Sequence, residues 1–140
     1  MTVNKATVIE NVYSEFYSLL KDVSGFDIYA SFPNKDITSK SSYPIMILES
    51  PDISWENITF SGGLVEGHIE LTIYTSDAKT ADQYASAANN KIEISESVLY
   101  TAGLENPRVD STDKEVTQRG KLNIHMKSLI WRFEFNFNRT

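Results

Sequence analysis

Residues 121 to 137 constrain the fold more than any other stretch. Leu122, Ile124 and Met126 are apolar at even positions and face away from Asn123, His125 and Lys127. Beyond Leu129 the apolar set is Trp131, Phe133, Phe135 and Phe137, all at odd positions. Side chains alternate across a strand with a period of two, so this pattern is a strand and not a helix. A change of phase inside a strand requires an inserted residue or a break. The pattern predicts a β-bulge or sharp bend between Lys127 and Ile130, so that one strand serves two surfaces.

The partners of this strand are legible upstream. Val8, Ile9, Val12, Phe16, Leu19 and Leu20 recur at spacings of three and four, which predicts an amphipathic helix over residues 4 to 22. Asn4 is its expected N-cap, and Gly25 lies just past its end. Ile28 to Phe32 reads as a short strand. Pro33 to Ser42 reads as a polar, mobile loop. The run Ile45-Met46-Ile47-Leu48 predicts a strand covered on both faces, with Pro44 at its start. Trp55 to Phe60 is expected to be a strand, Ser61-Gly62-Gly63 a turn, and Val65 to Thr75 the returning strand of a hairpin.

Residues 80 to 99 predict a second helix. Thr80-Ala81-Asp82-Gln83 matches a capping box, and Ala81, Tyr84, Ala85, Ala88, Ile92, Ser95 and Leu99 form a narrow packing stripe. Gly103 is the expected stop. Arg108 to Lys121 is strongly polar and turns at Gln118-Arg119-Gly120, so it reads as an exposed edge or projecting hairpin. The expected class is α+β: a mixed, mainly antiparallel sheet with two helices on one face and a bulged or bent last strand. No composition shift divides the 140 residues, so one domain is expected over 1–140.

Composition removes several kinds of chemistry. With no cysteine, disulfides, thiol nucleophiles and thiolate metal sites are excluded. No apolar run reaches 18 residues, so no membrane helix is expected, and the N-terminus has no signal-peptide run. Two Asn-x-Thr triplets, at Asn57 and Asn138, are read as chance matches. The net charge of −6, from 13 basic and 19 acidic side chains, argues against a protein that wraps the phosphate backbone.

The chemical motifs are equally sparse. His68 and His125 could meet across strands beside Glu66 or Glu70, but a zinc site needs three or four spaced ligands. Glu66, Glu70, Asp110 and Asp113 are acidic and near strands, and nothing in the sequence predicts the cleft that would split their pKa values. No serine sits in a Gly-x-Ser-x-Gly elbow. Gly62-Gly63-x-x-x-Gly67 lacks the Lys-Ser/Thr of a phosphate loop and precedes a strand, so it reads as a hairpin turn. The terminal aromatic strip points to core or subunit interface before base stacking, because little positive charge interleaves it. No catalytic residue, cofactor or metal is expected.

The order of elements carries one resemblance. A helix and a polar loop lead to Tyr43-Pro44-Ile45-Met46-Ile47-Leu48. His68-Ile69-Glu70-Leu71-Thr72-Ile73-Tyr74-Thr75 follows, then the second helix, a polar hairpin, and Trp131-Arg132-Phe133-Glu134-Phe135. Over about residues 45 to 137 this resembles the tail terminator (tail completion) proteins of long-tailed bacteriophages of the lambda type. The resemblance implies a ring subunit, usually of a hexamer, that ends tail-tube growth and joins the tail to the head connector. It implies assembly in the bacterial host cytoplasm and a place in the virion tail. The implied partners are further copies, the tail tube protein, and a head connector or completion protein, with DNA only as transiting cargo and no membrane. Tail-tube and head-completion subunits share the fold and are the nearest alternative, ahead of a small ligand-binding module or enzyme. The segments expected to order on contact carry Asn34, Asp36 and Lys40 in the first loop, and Asp110, Asp113, Lys114, Glu115 and Arg119 in the polar arm.

Overall fold

In the computed structural model, which describes residues 7–54 and 62–138, the closing strand is the spine. Strand β6 (Leu122–Asn138) pairs antiparallel with β4 (Gly62–Thr75) in one unbroken register, from Gly62 opposite Asn138 to Thr75 opposite His125. On its other side β6 pairs with β5 (Glu105–Arg119). Strand β2 (Ile45–Leu48) lies on the far side of β4, and the short β1 (Ile28–Tyr29) adds to it in parallel. Strand β3 (Asp52–Ser54) continues along the same edge of β4. The described strands form one mixed, mostly antiparallel sheet in the order β1-β2-β4-β6-β5, as the α+β reading requires.

Helices α1 (Val8–Leu20) and α2 (Ala78–Ile94) pack on one face of this sheet. The stripe on α1 buries Val8, Val12, Phe16, Leu19 and Leu20, while Ile9, expected beside them, is half exposed. Phe16 is fully buried between Trp131 and Phe133, with ring centroids at 6.0 and 5.8 Å. Phe133 in turn stacks on Phe135 at 6.4 Å. Aromatic contacts of this kind add about 0.5–1.5 kcal/mol each beyond the area they bury. The small residues Ala81, Ala85 and Ala88 bring α2 close to the sheet, and Asn89 Oδ1 accepts the Trp131 indole N–H at 3.2 Å. The helix predicted over 80–99 is broken at Ser95. A short helix α3 (Glu96–Thr101) follows, with Leu99 still buried.

Strand β6 carries no bulge between Lys127 and Ile130. Its partners there run in step on both sides, Ile73 to Glu70 in β4 and Lys114 to Ser111 in β5. The phase change has another cause. Partners opposite each other share a face, so Leu129, Trp131, Phe133 and Phe135 face the helices, while Ile124 and Met126 face the opposite side with Tyr74. There the chain from Phe32 to Tyr43 crosses the end of the sheet. Phe32 meets the Tyr74 ring edge-on at 5.5 Å, and Ile37, Tyr43 and Ile124 line one hollow. Ile124 is therefore buried without any insertion, and so are Ile45 and Ile47 on the same face of β2. This is why β2 is apolar on both sides.

Irregularities do occur, in β5. From Glu105 to Arg108 it spends three residues against two of β6, and from Val109 to Ser111 two against one. Asn106, at φ 51°, and Pro107 sit in the first bulge. Gly120, at φ 63°, and Lys121 form the tight link between Arg119 and Leu122, close to the predicted turn. Gly62 and Gly63, expected in a turn, are the first residues of β4. The expected strand at Trp55 to Phe60, the Asn4 cap and Ser61 lie outside the described residues, as does the Phe137 side chain.

Gly67 lets Phe133 of β6 and Ile53 of β3 pack where a side chain would otherwise stand. A Cβ there would fall 2.5 Å from Phe133 Cζ and 2.9 Å from Ile53 Cδ1. The Phe133 ring has little room to yield, because it is fully buried against Phe16 and Phe135. Gly67→Ala is therefore expected to lower stability by about 1–3 kcal/mol. Chemical denaturation would register this as a lower midpoint with an unchanged slope.

Candidate assembly surface

The sheet has a covered face and an open one. The open face is polar along β4 and β6, where His68 pairs with Arg132 and Glu66 with Glu134. Arg132 donates to the Glu66 carboxylate, which together with nearby Asp110 and Glu134 raises the guanidinium pKa further. His68 Nε2 lies 3.5 Å from Asp110 Oδ2, a contact that the second β5 bulge permits by turning Asp110 toward this face. Asn106 Nδ2 donates to Glu134 Oε2 at 3.4 Å, and Thr72 Oγ1 donates to Glu70 Oε1 at 3.2 Å. Farther along, burial first, then Glu49, Glu70 and Glu115, raise the Tyr74 phenol pKa.

His68 faces the open side, whereas His125 pairs with Thr75 an odd number of rungs away and faces the helices. The two histidines cannot share a metal ion, and no ligand cluster exists among the described residues. Glu66, Asp110 and Glu70 each engage a basic or hydroxyl neighbour, and Asp113 accepts the Lys114 backbone N–H at 2.8 Å. They form a charge mosaic, not a carboxylate pair in a cleft.

All eight residues singled out in the sequence are exposed. Five lie on β5, the long outer strand of the sheet, which pairs on one side with β6. Asp113, Glu115 and Arg119 face the open side, and Lys114 faces the helix side. Asn34, Asp36 and Lys40 lie on the crossing segment. That segment carries its own bonds: Asp36 Oδ1 accepts from Thr38 N and Oγ1 at 3.0 and 2.6 Å, and Tyr43 donates to the Ile37 carbonyl at 2.7 Å. A Cβ placed at Gly120 would lie 3.5 Å from the Thr38 side chain, so the crossing segment and the β5–β6 turn come together at one end of the sheet, beside Arg119.

On the helix side, a groove of about 410 Å³ opens between the start of α2 and the ends of β5 and β6. Ala78 and Ala81 form one wall, and Lys114, Val116, His125 and Lys127 line the other side and floor. Lys127 Nζ reaches across to Asp82 Oδ1 at 3.3 Å. A second apolar feature, not singled out in the sequence, lies at the other end of α2. Ile94, Val98 and Tyr100 at the α2–α3 corner are 69%, 50% and 64% exposed. A signal existed: Ile94 and Val98 fall off the alanine stripe, so they had no packing partner in the helix pattern.

The first turn of α2, which forms the groove wall, is set by Asp77 and not by the expected Thr80 box. The Asp77 carboxylate accepts from Thr80 N at 3.0 Å and Thr80 Oγ1 at 2.9 Å. Asp77 therefore uses Thr80 as a donor within its own cap.

No family model matches the chain, and no curated protein matches it. Among solved structures, a chain from the virion of a native gene transfer agent (GTA) particle is similar over 89% of this chain and 94% of its own, at 13% identity and a TM-score of 0.49. A likeness that distant in sequence and shape bears on no residue of this surface.

The cap yields a pH signature. The bonds from Thr80 hold the Asp77 carboxyl below its ordinary pKa of 3.8. A lowered folded pKa contributes stability that is complete above the unfolded value and is lost as pH falls through the folded one. Asp77→Asn, which still caps, should keep helicity at neutral pH and flatten the loss of melting temperature below about pH 4. Asp77→Ala should lower the melting temperature at pH 7 as well. Thermal melts followed by circular dichroism across pH 2 to 7 check both.

Proposed function

We propose that this chain is a structural subunit of a phage-like virion, acting by assembly and not by catalysis, and that it forms the ring of a tail terminator. The observation that carries the reading is β5. A 15-residue strand bonded along one side only among the described residues is a liability in a lone protein, and a natural joint in an assembly. Its devices are unevenly spread: Pro107 and both bulges guard residues 105–110, whereas 111–119 pair in regular register and leave a straight outer edge. The terminator resemblance of the Tyr43–Leu48 and His68–Thr75 phrases supports the same reading, and implies a ring that is usually a hexamer.

The open face fits the lumen of such a ring. Glu66, Glu70, Glu134, Asp113 and Glu115 outweigh Arg132, Arg108 and Arg119 on it, and the chain as a whole carries −6. An acidic wall lets DNA pass without counterion-releasing contacts. In this reading the ring meets the tail tube on one side and the head connector on the other.

Light scattering over a concentration series should show one closed species whose mass does not grow beyond the ring. A strict monomer at every concentration would refute the reading. Open-ended growth would instead identify a tail-tube subunit.

A further inference from the structure

We infer that neighbouring copies join head to tail, the α2–α3 corner of one copy seating in the groove beside α2 and β5 of the next; this rests on the ring reading above. The two surfaces match in kind, exposed apolar side chains on one and a partly apolar hollow on the other, each with an opposite charge beside it. The corner offers Ile94 and Val98, half or more of whose surfaces lie open to water where a monomer gains nothing by exposing them. The groove offers about 410 Å³ floored by Val116, itself 60% exposed, and walled by Ala78 and Ala81. Small wall residues leave the room that two branched side chains need.

The charges match in the same sense. Within the groove Lys127 is balanced by Asp82 at 3.3 Å; Glu115 and Met126 also contribute to the lining, but their register places their side chains on the opposite face of the sheet. Among the described residues Lys114 faces the groove with no carboxylate in ion-pair contact, and across the strand it meets Lys127, a like charge. The corner carries Glu93 and Glu96 on either side of Ile94, both exposed, with Glu93 already accepting from Asn89 at 3.1 Å. Glu96 is thus the carboxylate available to Lys114 of the neighbouring copy.

Placement makes the contact polar in direction. The corner and the groove lie at opposite ends of α2, whose 17 residues span about 25 Å. Different patches at opposite ends of a subunit join heterologously, and such contacts generate a ring when the rotation closes. The helices would then lie end to end around the outside of the ring, leaving the open face of the sheet free for the lumen.

The test is sizing of the full chain and five variants by light scattering, with circular dichroism to confirm the fold of each. Ile94→Asp and Val116→Asp replace exposed side chains and should raise the concentration for half-assembly at least tenfold. Lys114→Glu and Glu96→Lys should each weaken assembly by about threefold or more, the scale of an exposed ion pair replaced by repulsion. The double variant Lys114→Glu with Glu96→Lys should recover assembly to within about twofold of the parent. If the parent forms rings and the aspartate variants form them at the same concentration, or the double variant shows no recovery, the head-to-tail contact is wrong while the ring stands. If the parent is monomeric throughout, the ring reading falls, and this contact with it.

Discussion

The pairing of β4 with β6 is the constraint on which everything else depends. Its unbroken register fixes which side chain of β6 faces which layer, from His125 to the end of the described chain. That register sets Trp131, Phe133 and Phe135 in a row beneath Phe16, and their burial holds α1 on the sheet. Full burial of side chains this large is worth about 1.5–3 kcal/mol apiece, so this one row outweighs any polar contact on the surface. Gly67 is part of the same arrangement, since the Phe133 ring occupies the space a side chain would need.

The same ladder hands its other face to a different job. Near Tyr74 and Ile124 the crossing segment covers it, and farther along it lies open and charged. One strand thus serves two surfaces by being covered on different sides along its length. The α1 stripe, the two-sided β2 run and the alanine stripe of α2 were all legible, because a local period reports the face an element buries. The phase change in β6 was legible too, but its cause was not. A period cannot tell an inserted residue from a distant segment that folds over the opposite face, and here residues 32–43 did the covering. The cap failed for a related reason. Thr80 and Asp77 are both good caps, and the choice between them rests on where Thr75 leaves the sheet, its hydroxyl donating to the Asp77 carbonyl at 2.6 Å.

The assembly surface was half legible. Polarity marked the β5 arm and the first loop, and all eight residues named there are exposed. The sequence did not show that β5 is bulged twice near its start and regular beyond, which divides a guarded stretch from an open one. For Ile94 and Val98 the sign was their place off the alanine stripe, which left them without a packing partner in the helix pattern. Either side of the break at Ser95, Ile94 and Val98 lie exposed while Leu99 stays buried.

The central claim is that this fold is built to close on further copies of itself. Negative-stain electron microscopy of the purified chain at concentrations where it is associated tests that claim most directly. The account predicts closed rings of uniform diameter, one subunit thick, with an open centre. Dispersed particles of single-subunit size across the whole concentration range, or compact clusters without a central opening, would contradict it.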